Sequence, residues 1–349
     1  MNSPCVSVIL PVYNGGRYLA PALRSVLGQT FRDFELIALN DGSSDGSGAV
    51  LDEYARLDSR VRVVHQPNRG LVPTLNTGLE LASGAYIARM DADDVCMPTR
   101  FEQQVAFLDA FPDIAVVGTQ MRLVNEGGRI LGISESPLTP LRVQWTLLLN
   151  SALVHPTIMA RRDILNRYGG YESGFPHTED YALWTRLAIH EKLANLPDIL
   201  LTYRYLGSGV STKYQTIQVE NSRKLVGRYA HELLGLDADP GAHLASAAIR
   251  EKPLSAVTAD ELAHAADYVL WLYQQFQDRC PLSAGETTEL REAVGEYLQP
   301  IVLALTVRRP QMGVRYGRKL SRLSPRPSTF LRRGLTKLRY RVIPTRFVD

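Results

Sequence analysis

Apolar positions in the first half of the chain alternate between two spacings. Val6-Ser7-Val8-Ile9-Leu10 is a β-rich run ended by Pro11 and the Asn14-Gly15-Gly16 turn. Leu19, Ala22, Leu23, Val26 and Leu27 then recur every three or four residues, as one face of a helix requires. Phe34 to Leu39 predicts a second strand, which enters the turn-rich stretch Asn40-Asp41-Gly42-Ser43-Ser44-Asp45-Gly46. A helix to about Leu57, a strand from Val61 to Val64, a helix from about Pro73 to Leu81 and a strand from Ala85 to Ala88 follow. Four strand–helix units of this size predict an α/β fold with a doubly wound, mainly parallel sheet. Ligands of such sheets sit at the carboxyl ends of the strands, near a topological switch point.

The second half changes character. Phe101, Val105 and Leu108 mark another helix, and Ala115 to Gly118 and Met121 to Val124 read as two strands around the Glu126-Gly127-Gly128 turn. Val154 to Met159 is strand-like but interrupted by Pro156, which suggests an edge or a shaped loop. Residues 213–307 are predicted to be helical. Thr258-Ala259-Asp260-Glu261 and Ser283-Ala284-Gly285-Glu286 have the form of capping boxes. Leu262, Ala266, Val269, Tyr273 and Phe276 keep helical spacing after the first box, as do Leu290, Val294, Tyr297 and Ile301 after the second.

Composition adds exclusions. With 45% hydrophobic and 21% charged residues in 349, the chain has ordinary globular composition. No apolar run approaches the ~20 residues that span a bilayer, and Met1 to Leu10 lacks the basic start of a secretory signal. Cys5, Cys96 and Cys280 are odd in number and widely spaced, which argues against a disulfide framework or structural zinc and for a reducing, cytoplasmic setting. The net charge of +3 hides an asymmetry: from Arg308 onward 13 Lys and Arg face one acid, Asp349. That leaves 26 basic and 35 acidic residues before it, a balance of −9. Arginines interleaved with leucines and aromatics in this tail fit a peripheral segment on an anionic membrane surface, or else a solvated tail. Nucleic acid is disfavoured as a partner by the acidic body.

The chemistry concentrates at strand ends. Arg89-Met90-Asp91-Ala92-Asp93-Asp94 places three carboxylates in four positions, a costly arrangement unless a cation sits among them. Asp91 and Asp93 share one side of an extended backbone and offer a hard divalent cation, Mg²⁺ or Mn²⁺, an incomplete oxygen shell with places for phosphate oxygens. Tyr13-Asn14 and Asp41 close the first and second strands, so the three polar clusters share one edge of the sheet. Such a grouping predicts a nucleotide-phosphate site.

Taken in order, Val8-Ile9-Leu10-Pro11-Val12-Tyr13-Asn14, Asn40-Asp41-Gly42-Ser43-Ser44-Asp45, Asn68-Arg69-Gly70 with Asn76-Thr77-Gly78, and Ala88-Arg89-Met90-Asp91-Ala92-Asp93-Asp94 resemble the family 2 glycosyltransferases. The resemblance continues through His155-Pro156-Thr157-Ile158-Met159 and Glu179-Asp180-Tyr181-Ala182-Leu183-Trp184, covering about residues 4–212. It implies the type A glycosyltransferase fold and an inverting, metal-dependent enzyme that uses a nucleotide-diphosphate sugar, UDP by family habit. The division it suggests is a catalytic domain over 1–212, with donor binding in 1–95 and the acceptor side in 96–212. A helical region over 213–307 and a basic tail over 308–349 lie outside it.

On this resemblance, Pro11, Tyr13, Asn14, Asp41, Asn68, Arg69, Asn76, Arg89, Asp91, Ala92 and Asp93 belong to the donor site, with Asp93 as a direct metal ligand, Asp91 as a metal ligand through water or a contact to the ribose, and Asp94 supporting the loop. Tyr13 either stacks on the base or caps the core; Asp41 accepts from a base N–H, closes an Asx-turn onto Gly42 and Ser43, or does both. Arg69 faces the pyrophosphate or is a surface arginine, and Arg89 assists the site or pairs with its acids. The residues alone allow Glu179 and Asp180 to be no more than helix-start acids; the family pattern makes Asp180 the base and Glu179 a shaper of the acceptor side. His155, His177 and Trp184 are assigned to the acceptor, against a packed or solvated side chain as the alternative for the histidines.

Two departures from the family pattern stand out. Leu75 occupies a position that is often basic, and Leu206 in Tyr203-Arg204-Tyr205-Leu206 one that usually holds histidine. The Gln-x-x-Arg-Trp motif of processive synthases is missing, which favours transfer of a single sugar to a glycan or lipid-linked acceptor in cell-surface polysaccharide synthesis. The rival readings are a sugar-phosphate nucleotidyltransferase, for which Tyr13-Asn14-Gly15-Gly16-Arg17 is a poor phosphate loop, and a nucleotide-sugar-binding scaffold without catalysis.

Overall fold

A computed structural model describes residues 3–206, 214–237 and 256–323. They group into two units, one of 3–140 and 151–218, the other of 141–150 and 219–323. In the first unit, β1 (Val6–Val12), β2 (Phe34–Asp41) and β3 (Val61–Gln66) alternate with α1 (Leu19–Leu27), α2 (Ser47–Leu57) and α3 (Leu71–Leu81) before β4 (Tyr86–Arg89). Then come β5 (Val95–Cys96), α4 (Arg100–Ala110), β6 (Ile114–Asn125), β7 (Ile130–Ile133), β8 (Met159–Arg161), α6 (Arg162–Arg167), α7 (Glu179–Leu187) and β9 (Lys192–Tyr205). The intervening α5 (Pro140–Leu147) falls almost wholly within the second unit.

The strands form one sheet in the order β3-β2-β1-β4-β8-β6-β9-β5, with β7 on β6. β1 pairs in parallel with β2 on one side and β4 on the other. The chain therefore moves outward through β2 and β3 and returns to the far side of β1. That reversal is a topological switch point, and the crevice it opens lies at the carboxyl ends of β1 and β4. Tyr13 follows β1, Asp41 ends β2 and Asp91 follows β4. The sheet is mixed beyond β4: β8 runs antiparallel to β4 and β6, whereas β6 and β9 are long parallel partners.

β1 is buried over its whole length, as a central parallel strand must be. Leu19, Ala22, Leu23 and Val26 of α1 seal one face of it. On α3, Gly78 lets the helix approach closely: a Cβ there would lie 2.6 Å from Ile9 Cγ2. Gly78→Ala is expected to overpack this contact and cost about 1–3 kcal/mol, read from the midpoint of urea unfolding. An unchanged midpoint would mean that the helix shifts freely.

One local expectation is corrected. Ala115–Gly118 and Met121–Val124 are one strand, β6, whose pairing with β9 slips near Ile114 and around Gln120. Apolar period breaks at such bulges while the backbone ladder continues. The interruption expected at Pro156 is a shaped loop: His155–Thr157 is a 3₁₀ turn with Pro156 in its first turn, and β8 starts at Met159. Tyr203-Arg204-Tyr205 ends β9.

The second unit holds most of α8 (Gln215–Leu234), and α9 (Ala259–Arg279), α10 (Ala284–Arg308) and α11 (Pro310–Leu323) lie wholly within it. Both capping boxes form, Thr258 with Glu261 and Ser283 with Glu286. The Trp145 ring meets Phe276 edge-on at 5.9 Å, and Arg142 lies among Glu289, Glu292 and Glu296 on one face of α10. The start of the basic tail is therefore folded. Tyr316 and Leu323 are buried, Arg309 pairs with Asp260, and Lys319 with Asp267. These side chains are occupied within the bundle, which leaves Arg315, Arg318 and Arg322 on the exposed face of α11. The rest of the tail, from Ser324, lies outside the described residues.

Candidate functional site

The loop after β1 is knitted to the loop after β2. Asn14 takes a left-handed conformation (φ 53°), which asparagine tolerates better than most residues. Its N–H donates to Ser43 Oγ at 3.0 Å and its Oδ1 accepts from the Ser44 N–H at 2.9 Å. The N–H of Gly15 donates to Ser47 Oγ, and that of Gly16 to Asp45 Oδ2. Tyr13, raised on this rim, is 59% exposed and does not cap the core.

Asp41 is buried and heavily engaged. Its Oδ1 accepts from Gln66 Nε2 and the Arg69 N–H, both at 2.8 Å, and Oδ2 from the Gly70 N–H at 2.9 Å. The Asx-turn belongs instead to Asn40, whose Oδ1 accepts from the Ser43 N–H. A carboxylate offers about four acceptor positions; Asp41 uses three of them to brace the 68–70 loop, leaving one on Oδ2 open among the described residues. Asn68 and the Arg69 side chain are exposed on that loop, whereas Pro11 is buried within β1. Asn76 is committed elsewhere: Nδ2 donates to the Tyr171 carbonyl at 3.0 Å, and Oδ1 accepts from the Tyr171 N–H at 2.9 Å.

Asp91, Asp93 and Asp94 each bring a carboxylate oxygen within 4.8 Å of the others. The buried Arg89 guanidinium pairs with Asp91. Asp94 Oδ1 accepts from the Arg204 N–H at 2.9 Å, and its Oδ2 is buried with no hydrogen-bond partner among the described residues. Burial and the neighbouring carboxylates push Asp93 and Asp94 above the usual carboxylate range. An orphaned carboxylate oxygen inside a triad of hard oxygen donors fits a divalent cation.

Beneath this loop lies a buried cation that the motifs did not reveal. Arg100 donates from NH2 to the carbonyls of Arg89 (2.9 Å) and Ile158 (3.1 Å), and from Nε to Gln104 Oε1. Gln104 in turn donates to the Val117 and Thr157 carbonyls. The end of β4 is thus pinned to the turn before β8.

Glu179 and Asp180 open α7 and are both buried. His177, in a left-handed conformation (φ 64°), turns the chain into this helix, and its ring stacks on Tyr214 at 3.8 Å. A helix N-terminus favours the ionised forms, but burial wins. It pushes Asp180 up to about 6 and Glu179, beside the Asp180 charge, to about 7. The charges of Arg89 and Asp91 act on both carboxyls, so the end of β4 and the start of α7 are electrostatically linked.

His155 is buried as well. Its Nε2 lies 2.8 Å from the Tyr171 hydroxyl and its ring edges onto Trp184. Burial and the Arg89 charge hold it well below the usual histidine range, hence neutral. Trp184 is wholly enclosed and backs His155 from within.

With this geometry in view, the relatives are informative. The model for glycosyl transferase family 2 matches residues 7–169. An uncharacterized glycosyltransferase of Haemophilus influenzae is 31% identical over 234 residues, 64% of this chain and 72% of that protein. The O-antigen biosynthesis glycosyltransferase WbnJ of Escherichia coli is 34% identical over 204 residues, 57% of this chain and 79% of that one. Two solved structures share the fold. S. aureus TarS 1-349 in complex with UDP-GlcNAc gives a TM-score of 0.56 at 19% identity, covering 87% of this chain and 92% of that one. The mannosyltransferase PcManGT from Pyrobaculum calidifontis, in complex with GDP-Man and Mn²⁺, gives 0.51 at 17% identity, covering 88% and 87%. The chain belongs to glycosyltransferase family 2 and has the type A glycosyltransferase fold of that family.

Proposed function

We propose that this chain is an inverting glycosyltransferase that moves one sugar from a nucleotide-diphosphate donor, UDP-linked by preference, to a glycan or lipid-linked acceptor in cell-surface polysaccharide synthesis. The observation that carries the reading is that the buried Arg89 charge and the Asp91 carboxylate, which pair with each other, both act on Glu179 and Asp180. The O-antigen relative supports the setting, and the UDP-GlcNAc complex of the TarS fold supports the donor class.

In this reading the exposed Tyr13 ring covers the base, and the open position on Asp41 accepts a base N–H. Asp91 and Asp93 would hold Mn²⁺ or Mg²⁺, which neutralises charge on the leaving diphosphate. Inversion needs one displacement from the face opposite that diphosphate. An acceptor hydroxyl is a weak nucleophile at neutral pH, so Asp180 takes its proton as the new bond forms. Glu179 shapes the acceptor side, with His177 at its mouth and neutral His155 fixing the wall behind. Thermal-shift screening of UDP-, GDP- and dTDP-sugars with and without Mn²⁺ tests the donor reading, since a bound ligand raises stability by mass action. A metal-dependent rise with one nucleotide is expected; no rise with any of them would overturn it.

The proposal extends to the membrane surface. No helix among the described residues is long and apolar enough to cross a bilayer. Arg315, Arg318 and Arg322 on α11, with seven further Lys and Arg after Leu323, instead suit peripheral binding to anionic lipid, each contributing on the order of 1 kcal/mol near the surface. The full chain is expected to sediment with anionic but not neutral vesicles, and high salt should release it. A chain ending at Leu323, which keeps α11 folded, should bind more weakly. Equal recovery of both chains under all conditions would exclude a role for the segment after Leu323.

A further inference from the structure

Arg204 joins four separate segments. The antiparallel pairing of β5 with β9 sets Val95 opposite Thr202, so the same register continued by two residues brings Asp93 opposite Arg204. There the Arg204 backbone N–H donates to Asp94 Oδ1 at 2.9 Å, and its Nε donates to the Asp93 carbonyl at 3.2 Å. NH1 reaches the Glu126 carbonyl in the β6–β7 turn at 3.4 Å. The guanidinium carbon lies 4.5 Å from the centre of the Tyr18 ring, in the turn after β1. Tyr18 is also approached by Arg17, whose NH2 lies 2.7 Å from its hydroxyl and 3.5 Å from Glu126 Oε2.

The three acceptors of the Arg204 guanidinium are two carbonyls and an aromatic face. None carries a formal charge, so the cation is held by shape and its charge stays available beside the acidic triad. A flat guanidinium can donate in its plane and stack on a ring at the same time; a lysine ammonium cannot.

We infer that Arg204 is a positioning residue that latches the metal-binding loop Asp91–Asp94 to the turn after β1, so that the acidic loop and the base-side loop are held as one donor platform. This rests on the proposed metal-dependent donor site and adds a residue to it. The latch predicts that the planar fork, and not the charge alone, sets the affinity of the loop for a cation.

The test is Mn²⁺ binding to the full chain without nucleotide, followed by electron paramagnetic resonance of the free ion, in the wild type, Arg204→Lys, Arg204→Ala and Tyr18→Leu. Arg204→Lys is expected to lose about tenfold in Mn²⁺ affinity, the scale of outer-shell effects on metal sites. Arg204→Ala should lose at least as much, and Tyr18→Leu should show part of the same loss although Tyr18 lies on another segment. In transfer assays the Lys variant should raise the donor KM more than it lowers kcat. Wild-type affinity in Arg204→Lys, with native circular dichroism, would overturn the latch while leaving the metal site standing. Failure of the wild type itself to bind Mn²⁺ would overturn both. Tyr18→Leu bears on the latch even where the Arg204 variants fold poorly: unchanged Mn²⁺ affinity in it would remove the loop-to-loop coupling.

Discussion

Asp180→Asn is expected to lower transfer by about 10²–10⁴-fold, the usual worth of a positioned general base, with donor affinity unchanged. The substitution keeps the shape of the side chain and an acceptor for the Tyr181 N–H, which Asp180 Oδ1 holds at 2.7 Å. What it removes is the ability to take a proton. Glu179→Gln should act more through the acceptor KM. Because burial lifts Asp180 to about 6, the wild-type rate should rise with pH through that region and fall away below it. The same shift fixes the sign of a stability effect. A carboxyl whose folded pKa lies above its unfolded value of about 3.9 favours the fold below pH 4, and that contribution is lost as pH rises through about 6. Asp180→Asn, uncharged throughout, should therefore melt higher than the wild type at pH 7, with the gain vanishing near pH 4. Loss of activity together with a gain in stability is the pattern of a buried catalytic carboxylate. Retention of most of the transfer rate would place the base elsewhere.

Asp93→Asn should remove the metal dependence of donor binding. Its side-chain carboxylate stands in the triad, whereas the bond that ties this residue to Arg204 uses the backbone carbonyl. The loop should keep its path while losing one charged ligand. A cation at a diphosphate supplies several kcal/mol of transition-state stabilisation, so the rate should fall by about 10²-fold or more. Calorimetry with nucleotide in Mn²⁺ and in EDTA gives the check. The wild type should bind tightly only with metal, and the variant should bind weakly in both. Equal, metal-dependent affinity in the two proteins would remove Asp93 from the site.

The parts of this molecule legible in the sequence are those written in contiguous residues. The alternation from Val6 to Ala88 gives the β1-to-β4 half because each unit is local, and strand order at a switch point follows from parallel winding. The capping boxes at Thr258 and Ser283 are four-residue signals and form as read. Asp91-Ala92-Asp93-Asp94 is likewise compact. What stayed hidden depends on long-range register. Arg204 reaches Asp93 across more than a hundred residues through the β5–β9 pairing, and β5 is only two residues long. Arg100 sits among ordinary helix-start residues, and only its burial under the Arg89 and Ile158 carbonyls shows its importance. Asn76 stands in a motif associated with the donor, yet both ends of its amide hold Tyr171, 95 residues away. The basic tail has a composition that suits a lipid surface, but periodicity alone did not tell which side of α11 packs inward. Tyr316 and Leu323 pack inward and cannot serve an interface.

The central claim is a single displacement at the sugar carbon with Asp180 as the base, and the anomeric outcome tests it most directly. With the donor identified by thermal shift, slow hydrolysis lets water stand in for the acceptor. Proton NMR then records the anomer of the free sugar as it is released, before mutarotation. The account predicts that an α-linked donor yields the β anomer first, in the wild type and not in Asp180→Asn. Early release of the α anomer would contradict it.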